Sequence, residues 1–192
     1  MIRFTPSSSG IPKQGDILLA EPFMNDAHFG RKAILLCEHN EEGSFGFVLN
    51  NFIQVGLNEL LDDLPPFHSK LSLGGPVKNS NLYYLHTYSN APDSIEILPG
   101  LFMGGDFEWV RELIHQEKAL DGKLRFFIGY AGWTPGQLED EIRSHSWFIT
   151  SASIQSIMDT TIEEEQLWKS LITDMGDQFQ HIANAPADPS LN

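Results

Sequence analysis

Ala33-Ile34-Leu35-Leu36-Cys37-Glu38, then His39-Asn40-Glu41-Glu42-Gly43, then Phe45-Gly46-Phe47-Val48-Leu49: this stretch sets the fold class. Its first run is apolar on both faces of an extended chain, as in a central strand. The middle run is a turn by composition. The last is extended again, with Gly46 inside it. Two strands so close in sequence pair as an antiparallel hairpin. Outward from this hairpin, Asp16 to Ala20 reads as a strand that stops before Pro22. Leu82–Tyr88, Leu124–Tyr130 and Trp147–Ser151 read as further strands, and Ile95–Leu98 with Leu101–Met103 as a hairpin around Pro99-Gly100. Strands and helices do not alternate regularly. The fold class is therefore α+β around a mixed, largely antiparallel sheet, not a doubly wound parallel one.

Helices fill the gaps. Val55 to Leu64 is a short helix stopped by Pro65-Pro66. Asp106 caps a helix over Phe107–Lys118, whose apolar stripe is Phe107, Val110, Leu113 and Ile114. Thr134-Pro135-Gly136-Gln137 has Thr at N-cap, Pro at N1 and Gln at N3, a capping box for a helix to Ser144. Thr161-Ile162-Glu163-Glu164 is a second box, opening a helix to Met175 with Gly176 as its stop. Residues 1–14 read as a loose start and 177–192 as an extended tail draped over the body. No linker divides the chain, so residues 1–192 read as one domain.

Composition bounds the function. Twelve Lys and Arg against 26 Asp and Glu give a net charge of −14 in 192 residues. The imbalance is uneven: 10 basic against 16 acidic side chains in residues 1–137, and 2 against 10 in 138–192. No basic stripe exists to displace counterions from phosphates, so direct nucleic-acid binding is not expected, nor is binding to an anionic membrane. Solubility is the plain meaning of so much negative charge. One Cys excludes an internal disulfide and any multi-Cys metal site. No apolar run is long enough to span a membrane and no signal-peptide core follows Met1, so a cytoplasmic protein is expected.

Three features could carry chemistry. Cys37 and His39 lie two apart, on one side of a regular strand, which is the minimum for an activated thiol. Burial is the commoner fate of a Cys in so apolar a strand. Seven scattered His residues show no H-x3-H or HExxH spacing, so neither metal nor cofactor is expected. Most glycine-rich turns serve geometry alone. Gly129-Tyr130-Ala131-Gly132-Trp133 is the exception worth weighing. As a turn into the capped helix it would offer aromatic walls from Tyr130 and Trp133. Helix N–H groups there could face an anion, and Gln137 and Glu141 lie one turn apart on one helix face. Gly132, just before Trp133 and Thr134, is expected in a backbone conformation that suits only glycine.

In order and spacing, these motifs resemble the YqgE/AlgH family over nearly the whole chain. The matching stretches are Gly15–Pro22, Asn25-Asp26 with Phe29, Glu38–Asn50, Gly74-Gly75-Pro76-Val77, Leu85-His86, Gly104–Phe107, Phe126–Trp133, and Gly136–Glu139 with Glu141 and Trp147. The ending Asp188–Asn192 resembles the Bacteroidetes branch. The resemblance implies a bifurcated sheet curled into a pseudo-barrel with flanking helices. The AlgH name implies a role in transcriptional regulation of alginate production, without catalytic or DNA-contacting residues to carry over. The reading is thus a cytoplasmic regulatory or accessory protein that binds a small ligand or a partner protein. Its candidate site is His39, Asn50, Tyr130, Gly132, Trp133, Gln137 and Glu141. An enzyme, a hydrolase or transferase with its pocket near Gly129–Trp133, is the alternative.

Overall fold

The computed structural model describes residues 10–67, 69–119 and 121–185. The elements, in chain order, are β1 Ile17–Ala20, β2 Ala33–Asn40, β3 Gly43–Val48, β4 Phe52–Ile53, α1 Leu57–Leu60 and β5 Leu71–Leu73. Then come β6 Val77–His86, β7 Ile95–Leu98, β8 Leu101–Met103, α2 Phe107–His115, β9 Leu124–Trp133 and α3 Gln137–Arg143. The chain continues as β10 Trp147–Thr150, α4 Ile154–Met158, α5 Glu164–Asp174, a 3-10 turn Asp177–Phe179 and α6 Gln180–Ala183.

The strands order as β10-β1-β2-β3-β9-β6-β8-β7. All these neighbours are antiparallel, and β2 and β3 form the expected hairpin. β9 is where the sheet forks. Its C-terminal half pairs with β3, while Phe127 and Ile128 pair in parallel with β5 on the other branch. Gly74 sits in the fork: its N–H donates to Ile128 O at 2.8 Å and its carbonyl accepts from Val48 N–H at 2.9 Å. At Gly75, with φ +153°, a Cβ would fall on the Tyr130 carbonyl carbon. Glycine here lets β5 cross against the β9 backbone.

The sheet curls until the segment before β1 reaches β7. Gln14 Nε2 donates to Glu96 O at 3.0 Å and to Ile97 O at 3.2 Å. Among the described residues no strand pairing closes the curl into a barrel. The expected loose start is therefore fastened at Gln14, while residues 1–9 lie outside the described residues. One face of the sheet packs on α4, α5 and α6 through Leu35, Phe47, Trp168, Leu171 and Phe179. The other face packs on α3 through Leu36, Trp133, Leu138 and Trp147. A third cluster lies under α1 and α2.

Several elements differ from expectation. α1 is one turn only, because Leu61 is already extended. The Asp106 cap forms, accepting from Glu108 N–H at 2.9 Å, but α2 stops at His115. The Thr161 box does not form, and Glu163 is the N-cap of α5. Glu164 is committed elsewhere: its Oε1 accepts from Phe52 N–H at 2.7 Å, and its Oε2 lies 3.4 Å from Lys32 Nζ. The segment after Gly176 is helical, not extended, because Phe179, Ile182 and Ala183 bury against the sheet. The final stretch, 186–192, lies outside the described residues.

The most demanding core residue is Arg125, which is fully buried in β9. Its Nη1 donates to Ile157 O, at the end of α4, and its Nη2 to Leu49 O and, at 3.2 Å, to Ser72 Oγ. The guanidinium lies over the rings of Phe52 and Phe127, 5.6 and 5.1 Å from their centroids. Burial pushes it down to about 9, against the pull of Asp159, so it stays charged at neutral pH. His86 is a second buried polar group. Tyr88 N–H donates to Nδ1 at 3.3 Å, so Nε2 carries the proton and donates to Gly104 O at 3.0 Å. Burial holds this imidazole below its usual range, partly opposed by the contact with Gly104 O.

Arg125→Ala strands two buried carbonyls and opens a void, and should cost about 3–5 kcal/mol in denaturant unfolding. Arg125→Lys should recover little, since an ammonium cannot reproduce the fork of donors. For His86, the folded-state pKa lies below the unfolded one of about 6.5. Stability from the neutral ring is therefore full above about pH 6.5 and lost as the pH falls below it. His86→Gln should be less stable than the parent at pH 7.5, with a melting temperature that falls less steeply from pH 7 to pH 5.

Candidate functional site

Two features decide what faces the end of the sheet where β2, β3 and β9 meet. The first is a bulge in β2. Leu36 pairs with Gly46 but Glu38 pairs with Phe45, which leaves Cys37 as the extra residue. A bulge breaks the alternation of side chains. Cys37 still packs inward with Leu35 and Phe47, and burial raises its thiol far above the ordinary range; the residues after it change face. His39 turns to the opposite, α3 face. There its Nδ1 hydrogen-bonds Ser44 Oγ at 2.7 Å and its Nε2 lies 3.6 Å from Glu139 Oε1. The expected same-face pairing of Cys37 and His39 does not occur.

The second feature is the length of β9, which runs through Trp133. Gly129–Trp133 is thus strand and not turn, with Gly132 paired to Phe45. The positive φ, +67°, belongs to Gly129 and not to Gly132. Gly132 is glycine for another reason: a Cβ there would lie 3.0 Å from the Tyr130 ring edge. Because β9 continues as a strand, its side chains sort by face. Tyr130 packs with Phe45 on one side, ring centroids 5.7 Å apart, and Trp133 packs with Trp147 and Phe29 on the other.

α3 begins at Gln137 and not at the expected Thr134 cap, because Gly136 takes a left-handed turn, φ +78°. Half of the capping box survives: Gln137 Oε1 accepts from Thr134 N–H at 3.0 Å. Glu139 and Asp140 occupy the first turn, so the positive end of the helix already has its carboxylates and does not suit an anion. Glu141 gathers three donors. Its Oε2 accepts from the indole N–H of Trp133 and of Trp147, each at 2.8 Å, and its Oε1 from Gln137 Nε2 at 2.9 Å. One carboxylate thereby fixes α3 to β9 and β10.

His39, Trp133, Gln137 and Glu141 thus come together under α3, while Tyr130 and Gly132 face the opposite side. Asn50 lies apart and is fully engaged. Its Oδ1 accepts from Ala33 N–H at 2.8 Å, and its Nδ2 donates to Arg31 O at 2.9 Å and Glu164 O at 2.8 Å.

On the Tyr130 side an open cleft of about 460 Å³ lies between the β2–β3 hairpin tip and the end of β9. Gly132 is its floor, Phe45, Tyr130 and Val77 its walls, and Glu38, Asn40 and Glu42 its rim. Asn40 Nδ2 donates to Glu38 Oε1 at 2.6 Å, and Asn40 Oδ1 accepts from Glu42 N–H at 2.8 Å. The rim residues carried no role in the sequence reading. The signal that would have found them is the bulge, which regular alternation conceals. Among the described residues no helix is long and apolar enough to cross a membrane.

Comparison with known proteins fits this architecture. A family model described as AlgH-like matches residues 17–180. A UPF0301 protein of Cytophaga hutchinsonii is 38% identical over 181 residues, covering 93% of this chain and 98% of that protein. A UPF0301 protein of Bacteroides fragilis is 35% identical over 192 residues, covering 97% and 94%. The solution structure of the AlgH protein from Pseudomonas aeruginosa superposes with a TM-score of 0.70 at 28% identity, over 97% of this chain and 99% of that one. The crystal structure of DIP2367 from Corynebacterium diphtheriae, at 24% identity and a TM-score of 0.73, covers 91% and 93% and shares the fold.

Glu141→Ala strands two indole N–H groups and should cost about 2–4 kcal/mol in thermal unfolding, with loss of near-UV tryptophan ellipticity. Gln137→Ala, at an exposed position, should cost less than about 1 kcal/mol. Gly132→Val should also stay within about 1 kcal/mol, since the Tyr130 ring can yield and no positive φ is strained.

Proposed function

The chain belongs to the AlgH-like family, and we propose that it works as a cytoplasmic regulatory or accessory protein that binds a ligand or partner in the cleft over Gly132. One observation carries this reading. At Gly132 the sheet surface near the end of β9 is left without a side chain, and the gap is walled by half-buried aromatic rings and rimmed by polar groups. Its volume, about 460 Å³, falls in the range of ligand clefts. Its walls are ordered by packing: Phe45 and Tyr130 meet edge-to-face and contact Phe47 and Tyr83, and only the Tyr130 ring edge beside Gly132 has to give when that position is filled. A preorganised aromatic surface limits the entropy lost when something binds. The chemistry around it suits recognition: the buried Cys37 thiol is out of reach, and His39 points to the other face.

The test is to fill the floor. The parent and Gly132→Phe, both immobilised, are exposed to a soluble bacterial extract, and retained small molecules and proteins are compared by mass spectrometry. Species retained by the parent and lost by a variant of unchanged melting temperature support the cleft. Identical retention by both proteins sinks it.

A further inference from the structure

Within the cleft proposed above as the binding site, we infer that the occupant is a cationic side chain, an arginine or lysine presented on an extended segment of a partner protein. Its charged head lies against Glu38 and Glu42, and its stem lies along Phe45 and Tyr130. This deepens the binding reading and rests on it.

Two independent observations lead here. The first is the lining. Glu38 and Glu42 both line the cleft, Asn40 binding the Glu38 carboxylate at 2.6 Å and the Glu42 backbone N–H at 2.8 Å, whereas among the described residues no Lys or Arg lines it. Aromatic faces beside carboxylates match a guanidinium or ammonium, which gains from the ring quadrupole and from the opposite charge at once. The second is how this chain treats its other aromatic surfaces. Arg31 lies over Trp168 at 5.2 Å, Lys70 over Phe52 at 5.1 Å, Arg111 over Phe107 at 5.6 Å and Lys123 over Tyr88 at 5.5 Å. The chain's few cations repeatedly cap its own rings. Among the described residues none caps Phe45 or Tyr130, although those rings stand beside two carboxylates.

The shape selects the source. The cleft is open and, at about 460 Å³, larger than one side chain, so a bound arginine leaves room for the residues that flank it. Backbone polar groups of such a segment could meet Ser44, Asn40 and Thr134, which border the cleft. A net charge of −14 draws a basic partner from a distance and weakens that attraction in salt.

The test uses the full-length, 15N-labelled protein and short blocked peptides that differ only in a central Arg, Lys, Gln or Glu. Arg and Lys peptides should shift the amide signals of Ser44, Tyr130 and Gly132, and the Gln and Glu peptides should not. The double variant Glu38→Gln/Glu42→Gln, altered only on the exposed rim, should raise the Kd of the Arg peptide about tenfold or more. High salt should weaken the parent more than the variant. A Gln peptide that binds as well as the Arg peptide overturns the cationic assignment, as does a double variant of unchanged affinity. Free 1,4-diaminobutane that competes as well as the Arg peptide overturns the partner segment in favour of a free amine. If no peptide binds while Gly132→Phe still loses its retained species, the cationic assignment falls and the cleft stands. If retention is also unchanged, both fall.

Discussion

A charged guanidinium with no ion-paired carboxylate among the described residues lies at the junction of the sheet's two branches. Arg125 sits in β9 just before the point where β3 and β5 diverge. A forked sheet leaves carbonyls at the fork without strand partners, and a buried carbonyl needs a donor. Leu49 O, past the end of β3, is such a group, Ile157 O is a helix-end carbonyl of α4, and Arg125 serves both. The negative end of α4 also favours a positive charge at that spot. No neutral residue carries enough donors in a rigid plane to replace it. The branching of the sheet and the placement of α4 are thus held by one side chain.

A single side chain does similar work on the other face. Glu141 brings the indoles of Trp133 and Trp147 to one carboxylate, and Phe29 packs against both rings. The two contacts divide the labour. Arg125 holds the N-terminal half of β9 to the α4 side, and Glu141 holds its C-terminal end to α3. The stretch between them, Tyr130 to Gly132, is the floor and wall of the cleft. A cleft on a strand fixed at both ends is better defined than one on a loop.

Much of this was legible in the sequence, for reasons that can be named. The hairpin of β2 and β3 was visible because apolar runs flank a turn of Asn40-Glu41-Glu42-Gly43. The α2 cap was visible because Asp106 acts locally. Long-range competition hid the rest. Glu164 fits a capping box by spacing, but it binds Phe52 and Lys32, more than a hundred residues away. Gly129 and Gly132 together suggested a turn, yet only Gly129 has the conformation that needs glycine. Arg125 gave no signal: a lone Arg in an apolar strand has no local pattern that marks it as buried. Asn50 and Glu141 were found as polar residues of note, and the structure shows what occupies each one.

The bulge at Cys37 is the step that sets the chemistry of the cleft. Without it Cys37 would pair with Phe45, and His39 would lie on the cleft side while Glu38 and Asn40 faced α3. The extra residue reverses this. Glu38 pairs with Phe45 and joins the cleft, and His39 moves under α3 beside Ser44 and Glu139. One inserted position thus exchanges an imidazole for a carboxylate and an amide, while the Cys37 thiol stays buried beside Leu35. A regular strand would have offered a thiol and an imidazole side by side, the beginnings of a nucleophilic site. The bulged strand puts a carboxylate rim beside aromatic walls, with the thiol buried and the imidazole on the α3 face.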